Sequence, residues 1–208
     1  MYHNLKAAVA AGVNIGFFSG DTCWGRIDPR PSARGVPNRI FSRIDAFGPA
    51  PPGAEAWAGA GKFPYQTPSE AELIAARNTP PVTGGGAWIC SLPEHWMFAG
   101  TGMKKGDAIP GLVGWEWMGL PADIPGLQVV STGKTQNDLQ GPKGEGIYTA
   151  TIYPRPKRNF VFNAATCWWA DGLSEPPGYM RPKVYTEPQG PDPRVQRITA
   201  NILERIRQ

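Results

Sequence analysis

Two acidic residues stand at positions where a sheet could present catalytic carboxylates. Asp21 follows the apolar run Val13–Phe18, and Glu116 lies near the end of a strand candidate at Leu112–Trp117. Tryptophans flank Glu116, and a carboxylate buried among aromatics has a raised pKa, as a general acid or base needs. Ligands of open α/β sheets bind beyond the carboxyl ends of strands, so both acids are candidate catalytic residues. The alternative is that Asp21 only ends a turn and Glu116 pairs with an arginine.

Two further residues are candidates for binding a substrate. Phe18 ends the first apolar run, and His95 begins a strand candidate at His95–Ala99. If that strand pairs antiparallel with Leu112–Trp117, His95 and Glu116 lie at the same end of the hairpin. A histidine satisfied within the core is the alternative for His95.

The three cysteines are isolated from one another. Cys23, Cys90 and Cys167 form no C-x-x-C pair, which argues against a structural zinc site or a disulfide framework. We expect each to be a small buried hydrophobic residue in a reducing cytoplasm. Cys23, within the segment GDTCWG, could instead be the nucleophile of a cysteine-dependent hydrolase. This hypothesis stays open, although no helix pattern follows Cys23 to lower the pKa of its thiol.

Composition bounds the class of protein. The chain has 208 residues, of which 26 are Gly and 23 are Pro, and this length suits a single domain spanning 1–208. No apolar run approaches the roughly 18 residues of a membrane-spanning helix, and no signal peptide is recognisable. The net charge of +4 is dispersed rather than clustered. We therefore expect a cytoplasmic protein that binds neither membrane nor nucleic acid.

The elements predict a mixed α/β architecture. A helix at 3–11 that leads through Gly12 into a buried strand at Val13–Phe18 is half of a parallel crossover unit, which predicts a mostly parallel sheet. The chain opens inside that helix, so we expect the sheet to be incomplete at its N-terminus. Residues 28–87 predict a long Pro/Gly-rich loop region with one short helix near Ser69–Arg77.

The C-terminal half predicts antiparallel strands that extend this sheet, followed by a helix. Strand candidates occur at Leu127–Ser131, Ile147–Tyr153 and Phe160–Asn163, and the last two are separated by a hairpin-sized gap. Asp192 and Pro193 are typical of a helix N-terminus and precede an apolar stripe that ends at Ile206.

Four segments carry a resemblance to a known family. The runs AAVAAGVNIGFFSGDTCWGRI (7–27), HWMFAGTGMKKGDAIPGLVGWEW (95–117) and DPRVQRITANIL (192–203) resemble the C-terminal region of the large (beta) subunit of N,N-dimethylformamidase. The segment FVFNAATCWWADGL (160–173) also resembles that family's pattern V-F-x-A-x-T-x-x-W-x-x-G-L. The resemblance extends from Met1 to the end of the chain.

The resemblance implies a fold and an activity. It implies a glutamine-amidotransferase-like (flavodoxin-like) α/β domain and hydrolysis of a small N-substituted amide to an amine and a carboxylate. The family's iron is held by two tyrosines and a glutamate, which belong to segments upstream of this chain, and Tyr2 matches none of them. Glu116 matches the family's acid/base beside the metal, whereas Asp21 replaces the asparagine of a G-G-N-T turn.

Two functions follow as hypotheses. In the first, the chain is the C-terminal part of an iron-dependent amidase, inactive alone and without iron of its own, with Glu116 and Asp21 at the site. It would work as a homo- or hetero-oligomer, or with a missing N-terminal segment or separate chain that supplies the iron ligands. In the second, it is a non-catalytic binding or assembly module that docks on a separate chain.

Overall fold

The computed structural model describes residues 1–23, 25–47, 65–66, 70–78, 84–137, 144–175 and 190–208. Its strands are β1 (Ile15–Phe17), β2 (Gly25–Arg30), β3 (Ile40–Phe47), β4 (Tyr65–Gln66), β5 (Ala76–Asn78), β6 (Gly84–Ile89), β7 (Ala108–Trp115), β8 (Met118–Pro121), β9 (Gln128–Asn137), β10 (Gly144–Pro154) and β11 (Phe160–Asn163). Its helices are α1 (Tyr2–Ala11), α2 (Ala71–Ile74) and α3 (Pro193–Ile206), with 3-10 turns at Trp96–Phe98 and Trp169–Gly172. None of these described helices is long and apolar enough to cross a bilayer.

A six-stranded mixed sheet dominates the fold. Its strand order is β1-β11-β10-β9-β6-β7, and β1 with β11 is its one parallel pair among the described strands. The mixed α/β class and the antiparallel extension are confirmed. The prediction of a mostly parallel sheet is wrong for the described strands, and the flavodoxin-like assignment is not confirmed. The physical reason is that short hairpin connections, such as the one between β10 and β11, impose antiparallel pairing.

Because the strands alternate in direction, the carboxyl ends of four of them lie at the same end of this sheet. Following the pairings from β1 shows that β1, β11, β9 and β7 all run the same way. β1 and β7 are opposite edges of the sheet, yet the turn after β1 packs against the residue after β7. A Cβ on Gly20 would lie 2.3 Å from the carbonyl oxygen of Glu116. The sheet is therefore curled, so that its two edges meet.

The predicted loop region contains regular structure. Within 28–87, β2 and β3 pair antiparallel and β4 adds a parallel strand, while β5 pairs with β8 in a two-stranded sheet. The predicted helix near Ser69–Arg77 is shortened to α2, because the chain turns at Ala75 in a left-handed conformation and enters β5. Ser69, its predicted cap, lies outside the described residues.

Several predicted elements are confirmed, one is shorter than predicted and one is wrong. α1, the β10–β11 hairpin, β9 and α3 form where the pattern predicts them. The first strand narrows to β1 and is only half-buried, and Val13 is 51% exposed. The predicted strand His95–Ala99 is a 3-10 turn, and β7 pairs with β6 instead.

The core lies between the six-stranded sheet and α3. Trp88 and Trp169 pack edge to face with ring centroids 5.5 Å apart, and the Trp88 indole N–H donates to the carbonyl of Ala164 at 3.2 Å. In the apolar stripe of α3, Val195 and Ile198 are fully buried. This packing fixes the segment after β11, which forms part of the candidate site.

The start of α3 yields a prediction for pH-dependent stability. Asp192 accepts hydrogen bonds from the Arg194 backbone N–H at 2.8 Å and from its guanidinium at 2.7 Å. These bonds, mainly the side-chain ones, hold the pKa of Asp192 below its ordinary value. We expect Asp192→Ala to lower the free energy of unfolding by about 1 kcal/mol at neutral pH. Urea unfolding as a function of pH measures the effect.

The sign follows from a depressed folded-state pKa. The stabilisation is present above the unfolded pKa of Asp192 and is lost as the pH falls through its lower folded pKa. The difference between wild type and Asp192→Ala should therefore shrink in acid below about pH 4. Asp192→Asn keeps a capping oxygen and should retain most stability without that acid dependence. A gap between Asp192→Ala and wild type that persists unchanged into acid would contradict the prediction.

Candidate functional site

Three turns meet at the end of the curled sheet, where strands β1, β7 and β11 finish. The first is residues 19–22 after β1, the second is residues 116–117 after β7, and the third is residues 164–168 after β11. Backbone hydrogen bonds join them: Ala164 N–H donates to Phe17 O at 2.8 Å, and Cys167 N–H donates to Gly114 O at 3.0 Å. We call these three turns the edge cluster.

Asp21 occupies the first turn in a left-handed backbone conformation with φ of 48°. Asp and Asn adopt this region more readily than other non-glycine residues. This backbone therefore suits both Asp21 and the asparagine of the G-G-N-T turn that the resemblance implies. The Ser19 and Thr22 hydroxyls lie 2.6 Å apart across the turn. The turn therefore fixes where Asp21 emerges. An ionised carboxylate can only accept hydrogen bonds, whereas an asparagine can also donate.

Glu116 lies half-buried directly after β7. Its backbone packs on Gly20, where no side chain fits. The neighbouring indole of Trp117 is buried at 1% exposure, and its N–H has no hydrogen-bond partner among the described residues. Glu116 therefore follows β7 with its backbone against the Asp21 turn, and its catalytic role stays a prediction.

Thr166 is the hydrogen-bond centre of the third turn. Its hydroxyl accepts from the backbone N–H of Gly114 at 3.1 Å and of Trp168 at 3.0 Å. It donates to the carbonyl oxygen of Leu112 at 2.8 Å or to that of Gly114 at 3.0 Å. One buried hydroxyl thus ties the end of β7 to the chain that leaves β11.

Cys167 is the site residue that sequence reasoning missed. The prediction of a buried thiol is wrong for it, because its side chain is exposed and its sulfur lies 4.0 Å from Glu116 Oε2. The sulfur is still partly covered, and this partial desolvation, together with the carboxylates of Glu116 and Asp21, raises the pKa of the Cys167 thiol. The rule that selected Asp21, a polar residue shortly after a strand end, also applies to Cys167 after β11 and would have found it.

Phe18 forms the apolar floor of the first turn. Its ring packs on Phe162 at 5.4 Å and on Trp169 at 6.0 Å between centroids. It joins the edge cluster to the core, and its role in binding a substrate stays a prediction.

The structure does not bring His95 to the edge cluster. His95 caps the 3-10 turn by accepting from Met97 N–H through Nδ1, and it hydrogen-bonds Gln128, the first residue of β9. The start of β9 lies at the opposite end of the sheet from the end of β7, so the predicted pairing of His95 with Glu116 is wrong. Burial lowers the pKa of His95, as expected for a neutral, packed imidazole. Its substrate-binding role stays a prediction without geometric support.

Cys23 lacks the surroundings of a nucleophile. It is half-buried, and burial together with the Glu70 carboxylate raises the pKa of its thiol. A raised pKa disfavours the thiolate that attacks a carbonyl. The geometry therefore favours the structural interpretation of this thiol.

The described residues do not fit the iron that the resemblance implies. No three His, Cys, Asp or Glu side chains of the described ranges are grouped so that they could hold a metal ion. Tyr2 is buried, and burial and the nearby Glu72 carboxylate raise the pKa of its phenol, which disfavours a phenolate ligand. The described residues of this chain therefore do not form an iron site by themselves.

Together, the fold and the edge cluster define a mixed α/β domain that gathers two carboxylates and a thiol where the edges of its sheet meet. The chain belongs to the family described as N,N-dimethylformamidase beta subunit-like, C-terminal, which matches residues 1–183. The resemblance proposed from the sequence is confirmed over that range, whereas α3 lies beyond it. The comparison with curated proteins found no match.

Proposed function

We propose that this chain is the C-terminal part of an iron-dependent amidase that hydrolyses a small N-substituted amide to an amine and a carboxylate. Membership of the dimethylformamidase-related family supports the reaction class. The observation that carries the assignment of the site is the contact between the Asp21 turn and Glu116, which joins opposite edges of the sheet. Because the described residues do not fit iron, its ligands would come from another segment or chain, and a metal bound there would supply polarisation of the amide carbonyl.

Glu116 moves the proton in this proposal. Amide hydrolysis adds water to the carbonyl carbon and breaks the C–N bond, and the departing nitrogen must gain a proton. A half-buried carboxylate can accept a proton from water and pass it to that nitrogen. Asp21 lines the pocket, and as a hydrogen-bond acceptor it orients a substrate or water through its N–H or O–H groups.

The test is amine release by the complete assembly. The coding region immediately upstream is co-expressed with this chain, iron is supplied, and dimethylamine released from N,N-dimethylformamide and related amides is measured. We expect Glu116→Gln to lower kcat about a hundredfold with a smaller change in KM. Glu145→Gln is the matched control, because Glu145 is an exposed glutamate whose partner is Lys134.

Each outcome separates the alternatives. Full activity of Glu116→Gln would refute the assignment of the proton-transfer role. Amine release by this chain alone would refute the requirement for ligands from elsewhere. Absence of amidase activity in every assembly, with stable binding to a second chain, would instead establish the binding or assembly module.

A further inference from the structure

Cys167 is held in place by backbone contacts rather than placed freely on the surface. Its N–H donates to the Gly114 carbonyl at 3.0 Å, and the preceding Ala165 adopts a left-handed φ of 59° that Asn163 Oδ1 stabilises by accepting from its N–H at 2.9 Å. The thiol therefore projects from a turn whose backbone is held by hydrogen bonds at Ala165 and at Cys167. It is exposed, whereas Cys90 is buried and Cys23 is half-buried.

The sulfur of Cys167 faces groups from the other two turns of the edge cluster. The backbone N–H groups of Gly20 and Glu116 point to the sulfur and lower its pKa, while the carboxylates of Glu116 and Asp21 raise it. Partial desolvation of the sulfur is the largest of these influences, and the net effect raises the pKa. At neutral pH the sulfur therefore carries its proton, so it acts as a donor beside a carboxylate acceptor.

The geometry points to Cys167 as a positioning residue for Glu116: its S–H donates to Oε2 and holds the carboxylate at the mouth of the edge cluster. This inference rests on the proposed function of Glu116, and it adds a residue that the reaction needs without touching the substrate. No bond to sulfur forms or breaks. The contact is a weak thiol hydrogen bond at 4.0 Å, between side chains whose backbones are held by the hydrogen bonds that join the turns.

The test uses the reactivity of the Cys167 thiol and needs no enzyme activity. Iodoacetamide alkylation at Cys167 is followed by peptide mass spectrometry across a range of pH in wild type, Glu116→Gln, Asp21→Asn and Glu145→Gln. We expect the thiol pKa to fall by about one unit in Glu116→Gln. The larger thiolate fraction, offset by its weaker nucleophilicity, should accelerate alkylation at pH 7 about threefold. Asp21→Asn should give a smaller effect, and Glu145→Gln none.

An unchanged alkylation rate and pKa in a folded Glu116→Gln protein would overturn the inference while leaving the proposed function intact. If that variant does not fold, the wild-type pH profile decides: a thiol pKa at or below its ordinary value would overturn it. In the active assembly, Cys167→Ala should lower kcat about fivefold at similar KM, and Cys167→Ser, which restores a donor, should recover most of the loss. Failure of Cys167→Ser to recover activity would also count against positioning by a hydrogen bond.

Discussion

Replacing Thr166 with valine is expected to lower the free energy of unfolding by about 3 kcal/mol, although the two side chains have nearly the same shape. The Thr166 hydroxyl is fully buried and accepts hydrogen bonds from the N–H groups of Gly114 and Trp168. Valine leaves both donors buried without an acceptor, and each such loss costs about 1–3 kcal/mol. Urea or thermal unfolding of Thr166→Val beside the wild type measures the difference.

Thr151 offers a matched control within the same sheet. It is also fully buried, but its hydroxyl has no hydrogen-bond partner among the described residues. Thr151→Val therefore removes a buried polar group that gains nothing from the fold, and it should leave stability unchanged or raise it slightly. Equal destabilisation by both substitutions would show that Thr166 contributes no special hydrogen-bond network.

Thr166→Val should also loosen the site. Without the hydroxyl, the end of β7 and the chain after β11 are joined by fewer contacts, so Glu116 and Cys167 become less well positioned. In a still-folded protein, we expect the pKa of the Cys167 thiol to move toward its ordinary value as the surrounding carboxylates move away.

Replacing Gly20 with alanine is the second substitution with a large expected effect. The added Cβ would lie 2.3 Å from the Glu116 carbonyl oxygen and 2.9 Å from the Trp117 nitrogen, both of them backbone atoms that cannot rotate away. Overpacking of this kind costs about 3 kcal/mol, because the two turns must separate. The loss is measured by chemical unfolding, and the displacement of Glu116 by the alkylation profile of Cys167.

Gly102 separates crowding from backbone conformation. It has a φ of 69°, and no atom lies within 4 Å of the position of an added Cβ. Gly102→Ala should cost about 1 kcal/mol through its left-handed conformation alone. A cost for Gly20→Ala no larger than that of Gly102→Ala would mean that the contact between the turns is not tight.

The sequence determined the elements whose signals are local. The β10–β11 hairpin follows from two strand patterns separated by a hairpin-sized gap, and α3 follows from the Asp192 cap, Pro193 and an apolar stripe. The family resemblance likewise depends on short runs of residues, and it holds over residues 1–183. Caps, turns and periodicity act between residues a few positions apart, so the sequence displays them directly.

The edge cluster could be predicted only in part. Position after a strand identified Asp21 and Glu116. His95 was placed beside Glu116 by a hairpin that does not form, and a general expectation about isolated cysteines left Cys167 out. His95 was misplaced because its segment caps a 3-10 turn instead of forming a strand. β7 pairs with β6 and not with the segment that contains His95, and the local sequence does not indicate which strand β7 will pair with.

Only the tertiary structure decided the order of the strands and the curl that brings β1 to β7. Strand pairing is set by which surfaces are buried together and which distant backbone groups find partners, and no local pattern encodes either. The hydroxyl of Thr166 and the missing side chain of Gly20 act across separations of about 50 and 100 residues. The sequence therefore supplied the chemistry of the site, and long-range packing decided which of its groups share one edge of the sheet.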